Sequence, residues 1–319
     1  MRPADFRDSV RARPGMYVGD TQDGSGVLHM VLELVGNAID QHWAGKCSRV
    51  DVAIGSDVAI TVRDDGPGLA EPARYFERQS DRPTFDGHRP HVHVGLGLRG
   101  FGLFVVNALS ERLGVSTVRD GVEARAVFER GELVEPWSQI STKAPSGTTI
   151  RFRVDPQLFG HRVPPHELLE QRLEELAHLL PTLDFCRNQT GVGLPGRVAR
   201  RIGCAVGDVA HTREVIETPG GPIDVELALA FGQGETSIES FVNLSRTPDG
   251  GTHVDGLLAA IDEHRGGGLV GAASLILADV AFGGPTRDRL VTPAARDAVV
   301  AVAEKCLLAR RTGADMTRA

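Results

Sequence analysis

The chemistry in this chain gathers on one helix and two glycine loops. The stretch from Val27 to Trp43 reads VLHMVLELVGNAIDQHW. At about 100° per residue, His29, Glu33, Asn37 and Asp40 fall within a sector of about 80°, while Val27, Met30, Val31, Leu34, Val35 and Ala38 fill the other side. A stripe that is merely wet usually carries Lys, Arg and Glu, which favour helix. This one carries neither Lys nor Arg and sets Asn37, a poor helix former, beside Gly36. Glu33 could hold a water as general base, with His29 one turn earlier to orient it, and Asn37 could lend an oxygen to Mg²⁺.

The first loop, Gly95-Leu96-Gly97-Leu98-Arg99-Gly100-Phe101-Gly102, opens a helix through Val105, Val106 and Leu109. Bare backbone N–H groups at a helix start converge on an anion, so Gly97, Leu98, Arg99, Gly100, Phe101 and Gly102 read as a phosphate cradle. The glycine spacing also matches a dinucleotide fingerprint. It follows an irregular loop instead of a strand, however, lacks the acidic residue expected downstream, and contains no GK[ST]. The second loop runs from Asp64 at a strand end through Asp65, Gly66, Pro67 and Gly68 to Leu69. There a carboxylate can accept a hydrogen bond from an exocyclic amine, beside backbone bare enough for a flat ring. A plain turn acid is the commoner fate of Asp-Asp-Gly, and for Asp64 alone that reading stays open. Together the parts make a nucleotide site, with the triphosphate along the helix and the purine against Asp64.

These groups need a scaffold, and 319 residues with 41% hydrophobic and 24% charged content suffice for two domains of an ordinary globular protein. No apolar run reaches about 18 residues, and MRPADFRDSVRARPG lacks a signal-peptide core, so a cytoplasmic protein with no membrane partner is expected. Cys47, Cys186, Cys204 and Cys306 form no CxxC pair and read as reduced thiols. The net charge of −7 disfavours strong nucleic-acid binding by the whole molecule but permits a local basic groove. Alternation at Val50, Val52, Ile54 and then Val58, Ile60, Val62 predicts a hairpin running into Asp64. Residues 70–94 show no period and read as a long lid loop. Strands follow around Asp120-Gly121 and over Thr148 to Val154, then a helix from His166 to Leu180. Residues 187–222 are weakly periodic, and a domain junction is placed before them. A β-β-α-β-α order follows, with strands at VELALAF and SFVNL, a helix from His253 to His264, a strand from Leu269 to Val280 and a helix from Thr292 to Ala309.

ELVGNAID, DDGPG, GLRGFG running into VVNALS, and SGTTIRF resemble the four ATP-binding motifs of the GHKL ATPases. RPGMYVGDT narrows the resemblance to the gyrase B and topoisomerase IV subunits of type IIA topoisomerases, and DGGTHVDGLLAAI and PTRDRLV are similar to their transducer domain. The resemblance implies an α+β fold. Residues 1–186 would form a GHKL-type α/β sandwich, a mixed sheet covered by helices on one face, and residues 187–319 a ribosomal-S5-like βαβ transducer. It implies ATP and Mg²⁺ as ligands, with Glu33 as catalytic base, His29 as its orienting partner, Asn37 as the Mg²⁺ ligand and Asp64 as adenine reader beside Gly66, Gly68 and Leu69. Thr148 would assist through water, Leu98 to Gly102 would wrap the phosphates, and Arg125 would stand at the pocket mouth, near where aminocoumarin inhibitors bind. A homodimer on ATP binding, a gyrase A-like subunit and DNA are the implied partners.

The departures are specific. Arg287 stands where the family has the lysine that reaches the γ-phosphate, and Pro285 where it has a glutamine, so hydrolysis and coupling are touched more than binding. Pro67 replaces an arginine, Arg99 replaces a histidine, and Thr84 is nearest to the lid lysine. The lid looks shorter, the transducer looks trimmed near 264–269, and neither the N-terminal arm nor a TOPRIM domain is expected, hence no DNA cleavage by this chain itself. His88, His91 and His93 read as polar loop residues, with a metal site as the alternative. Two other functions stay open: a small-molecule kinase built on the same site, and a nucleotide-gated scaffold with little turnover.

Overall fold

The computed structural model describes residues 3–77, 100–185, 191–232, 235–262, 268–284 and 286–316. The chain divides into two units, Met1–Ala177 with Thr182–Thr190 and His178–Pro181 with Gly191–Ala319. Among the described residues no helix is long and apolar enough to cross a membrane.

The first unit holds strands β1 (Val50–Ile54), β2 (Ile60–Asp64), β3 (Ser110–Arg119), β4 (Val122–Glu129), β5 (Glu132–Ser141) and β6 (Gly147–Val154). Its helices are α1 (Pro3–Ala12), α2 (Gly15–Val18), α3 (Ser25–Trp43), α4 (Pro72–Glu77), α5 (Gly102–Leu109) and most of α6 (His166–Leu179). The sheet order is β1-β2-β6-β3-β4-β5 and every neighbouring pair is antiparallel. The expected mixed sheet is thereby corrected for this unit. Short turns join β1 to β2, β3 to β4 and β4 to β5, and only antiparallel neighbours can be joined so tightly. Ile60 and Val62, Leu113 and Val115, Ala126 and Phe128, and Ile150 and Phe152 alternate inward and are buried. On that face lie α3 and α5, whose Val27, Met30, Val31, Val35, Val105, Val106 and Leu109 have no exposed surface.

One helix breaks the expected lid loop. Phe76 on α4 is fully buried, 5.7 Å from the ring of Phe128 and 6.2 Å from that of Trp137. One buried aromatic leaves no period to read. The rest of that loop, with Thr84, His88, His91 and His93, lies outside the described residues, as do Cys186 and Pro285. Strand β5 is exposed almost throughout, and so carried no alternation to announce it. Cys47, Cys204 and Cys306 are free thiols, and burial pushes that of Cys47 up to about 12.

The second unit contains α7 (Gly193–Ile202), a 3₁₀ turn (Val206–Asp208), β7 (Ala210–Ile216), β8 (Ile223–Gly232), β9 (Ser237–Val242), β10 (Ser245–Arg246), α8 (Thr252–Asp262), β11 (Gly268–Leu277) and α9 (Pro293–Met316). Its sheet runs β10-β9-β11-β8-β7, with β9 and β11 parallel across the α8 crossover and the other pairs antiparallel. Mixed pairing thus belongs to this unit. The weakly periodic 187–222 contains α7, which opens on Gly-Leu-Pro-Gly, and β7, which has no buried residue. Leu227, Leu229 and Leu275 pack with Leu257, Val299, Val302 and Cys306 to form the core.

Helices α8 and α9 approach so closely that a Cβ on Gly256 would stand 2.5 Å from the carbonyl oxygen of Arg296. Backbone meets backbone there, and neither can swing aside. Gly256→Ala is therefore expected to destabilise the protein by on the order of 1–3 kcal/mol in denaturant titration. An unchanged midpoint would show that the two helices have room to spare.

Candidate functional site

Strand β2 ends on Asp64, whose register partner on β6 is Thr148, and the partner of Thr148 on β3 is Thr117. Alternation turns all three inward, one row beyond Val62, Ile150 and Val115, so a polar row closes one end of the buried face. The hydroxyls of Thr148 and Thr117 stand 3.2 Å apart, and the backbone N–H of Leu69 donates to Thr117 Oγ1 at 2.8 Å. Asp64 Oδ1 accepts from the Gly66 N–H at 2.9 Å, and the carboxylate also accepts from the Thr148 N–H. Burial outweighs those bonds and pushes the Asp64 carboxyl up to about 6.

Its neighbour goes the other way. Burial alone would raise Asp65, but it accepts from Ser48 Oγ at 2.5 Å and from the N–H groups of Ser48 and Arg49, each at 2.8 Å, and falls to about 2. Of two adjacent carboxylates, one ties the loop to the residues that lead into β1 and the other is turned toward the buried face with no cation paired to it among the bonds above. Asp64, through its bond from the Gly66 N–H, also acts as an acid of the turn itself, so the turn-acid reading stays beside the ligand-binding one.

The glycines of both loops mark close approaches. Gly68 has φ +73°, and a Cβ there would stand 2.2 Å from the Val118 carbonyl oxygen. A Cβ on Gly66 would lie 2.8 Å from Asp64 Oδ1 and 3.7 Å from Gln41 Cβ on α3. At the other loop, a Cβ on Gly102 would lie 2.6 Å from Glu33 Oε2. Thus α3 meets the start of α5 through Glu33 and the Asp64 loop through Gln41, with half-buried Asn37 one turn from each. Glu33 itself is 8% exposed. His29 Nδ1 donates to the Val18 carbonyl at 2.7 Å, which fixes its ring one turn before Glu33. Thr117 and Gln41 did not emerge from sequence reasoning. The signals were a threonine at an inward position of β3, and a polar residue continuing the four-residue spacing of Glu33 and Asn37.

Gly100, with φ +73°, and Phe101 lead into Gly102, whereas Gly97, Leu98 and Arg99 lie outside the described residues. Arg125 is not brought to this row. It pairs with Ser116 across the strands on the outward face, and its Nε donates to Glu123 Oε1 at 2.6 Å. Arg287 belongs to the second unit, at φ +62° with its guanidinium 5.8 Å from the Phe282 ring centroid. The assembled first-unit groups suit a flat, amine-bearing ring at the Asp64 end and an anion at the glycine-bearing start of α5. Asn37 offers the oxygen that a hard divalent cation prefers.

The family of histidine kinase-, DNA gyrase B-, and HSP90-like ATPases matches residues 22–158, and the DNA gyrase B family matches residues 204–264. The chain is 34% identical over 268 residues to the B subunit of DNA gyrase from Campylobacter jejuni, covering 78% of this chain and 34% of that protein. It is 32% identical to the B subunit of DNA topoisomerase 4 from Streptococcus pneumoniae, over 92% of this chain and 52% of that protein. The chain therefore spans from about a third to about half the length of these relatives. The crystal structure of the 43K ATPase domain of Thermus thermophilus gyrase B in complex with an aminocoumarin is similar at a TM-score of 0.71. The identity there is 26%, over 97% of this chain and 91% of that one.

The raised Asp64 has a consequence for stability. An unfolded aspartate releases its proton near 3.8, the folded one near 6, so the folded state binds more protons between those values and stability falls as pH rises through them. Asp64→Asn should therefore melt above the wild type at pH 7.5, by on the order of 1–2 kcal/mol, with the advantage gone below about pH 4. A difference independent of pH would refute this assignment.

Proposed function

Because the chain belongs to the GHKL ATPases of the gyrase B type, we propose that it binds Mg-ATP along α3 and hydrolyses it with Glu33 as general base. The observation that carries this reading is the order of groups on α3. Glu33 lies against the start of α5, Asn37 one turn on and Gln41 against the Asp64 loop, about 12 Å from end to end.

In this reading the adenine amine donates to Asp64, and Thr148 and Thr117 hold the water beside it. Gly66, Gly68 and Leu69 line the ring's edge. The phosphates run back along α3 to the N–H groups of Gly100, Phe101 and Gly102, where the dipole of α5 adds positive potential; the family resemblance adds Gly97, Leu98 and Arg99, which lie outside the described residues. Asn37 would hold Mg²⁺, which supplies positive charge against the phosphate oxygens. Glu33 takes a proton from water as its oxygen bonds to the γ-phosphorus and the bond to the ADP oxygen breaks. His29 keeps Glu33 in place. Arg287, in the second unit, keeps the charge of the family lysine it stands for but not its compact ammonium. Arg125, on the outward face, has no part in these contacts. The module dimerises on binding Mg-ATP and serves a cytoplasmic assembly with a gyrase A-like subunit and DNA.

Glu33→Ala is expected to lower ATP turnover by at least about 100-fold while a non-hydrolysable analogue still binds. Equal turnover in the two proteins would remove Glu33 as base, and phosphate delivered to an added metabolite without hydrolysis would favour a kinase. Light scattering should show a dimer only with the analogue; a monomer in both states would end the gate. Affinity for the analogue should fall as pH drops through about 6, where Asp64 takes up its proton, and Asp64→Asn should remove that dependence.

A further inference from the structure

Helix α1 has no place in the nucleotide contacts above, yet it is tied to both ends of α5. At the N-terminal end, the ring of Phe6 lies 5.4 Å from that of Phe101 and stacks at 5.2 Å on that of Phe104, with Tyr17 edge-on at 6.1 Å. Only 9% of Phe6 is exposed. At the C-terminal end, Arg11 Nη1 donates to the Ala108 carbonyl at 2.8 Å and Nη2 to Asp155 Oδ2 at 2.6 Å. The side chain of Asp155 is wholly buried and accepts also from Arg130 Nε at 2.9 Å. A third tie, Arg7 Nη1 to Glu132 Oε1 at 2.6 Å, fastens α1 to β5. The helix is thus anchored to the sheet at one side and brackets α5 from its first turn to its last.

Helix α5 needs such help. It has eight residues, too few to hold its own ends, and among the described residues no side chain caps its start. The residue before it is Phe101, and its first residue is Gly102, held against Glu33. Phe101 sits in the turn that carries the N–H groups from Gly100 to Gly102, and the ring of Phe6 packed upon it restrains that turn.

We propose that α1 is a splint for the anion-binding start of α5, and that Phe6 is a positioning residue holding this turn through Phe101 and Phe104 without touching the nucleotide. The inference deepens the ATP-binding reading and rests on it. It has a signature that general loss of packing lacks. Phosphate-dependent affinity depends on Phe6, whereas affinity for the purine, at the other end of α3, does not.

The test compares wild type, Phe6→Ala and Phe6→Leu by calorimetry with adenosine and with a non-hydrolysable ATP analogue plus Mg²⁺, and follows amide hydrogen exchange over 100–105 without ligand. Phe6→Ala should weaken the analogue about tenfold and adenosine less than about twofold, Phe6→Leu should recover most of the loss, and the 100–105 amides should exchange faster in Phe6→Ala. Equal weakening of both ligands, no weakening, or unchanged exchange would overturn the splint. A wild type that binds neither ligand would sink the ATP reading instead, and the exchange measurement still decides the splint. If Phe6→Ala does not fold, Phe6→Val carries the same ordering with a smaller loss.

Discussion

A carboxylate and a helix start bare of side chains face each other at the centre of the first unit: Glu33 Oε2 lies 2.6 Å from where a Cβ of Gly102 would be. Glycine lets the carboxylate come that close, whereas a Cβ would push the end of the Glu33 side chain aside, and a firmly seated α3 holds the two in register. The seating is apolar. Val27, Met30, Val31 and Val35 have no exposed surface, so the stripe that carries Glu33 and Asn37 cannot rotate without exposing them. The rest of the site follows from this rigid helix. Glu33, midway along it, meets the start of α5, and Gln41, near its C-terminal end, meets the Asp64 loop.

The Asp64 end illustrates how burial and hydrogen bonding divide labour between identical side chains. Asp65 accepts three hydrogen bonds from Ser48 and Arg49, and so ties its loop down. Asp64 accepts from two backbone N–H groups and is still raised, because it faces the buried side of the sheet. A buried carboxylate in that state gains from any further donor that reaches it.

In the second unit the parallel pair β9 and β11 with α8 between them forms the crossover expected of a transducer-like domain, and its core is almost wholly aliphatic. Arg287 sits there on a strained turn at φ +62°, a conformation that a non-glycine residue keeps only when its surroundings enforce it. Membership of the GHKL ATPases accounts for this pairing of units, since gyrase B type relatives match across both.

Consecutive residues carry their own period, so what depends on neighbours in the chain was legible in the amino-acid sequence by itself. The two faces of α3 with Glu33 and Asn37 on one of them, the hairpin that delivers Asp64 and the glycine-bearing start of α5 could be named from it, and Thr148 only through the family resemblance. Strand β5, helix α4 and strand β7 could not, because one is exposed almost throughout, one rests on a single buried phenylalanine and one has no buried residue. Only the tertiary structure decided which strands pair. Strands β2 and β6 are separated by some eighty residues of chain, and it is their register with β3 that sets Asp64, Thr148 and Thr117 in one row and turns Arg125 to the other face. It alone packed Phe6 on Phe101 and brought Gln41 beside Gly66. Local preference depends on bonds between neighbours, whereas these contacts depend on which buried surfaces fit one another once the chain has closed.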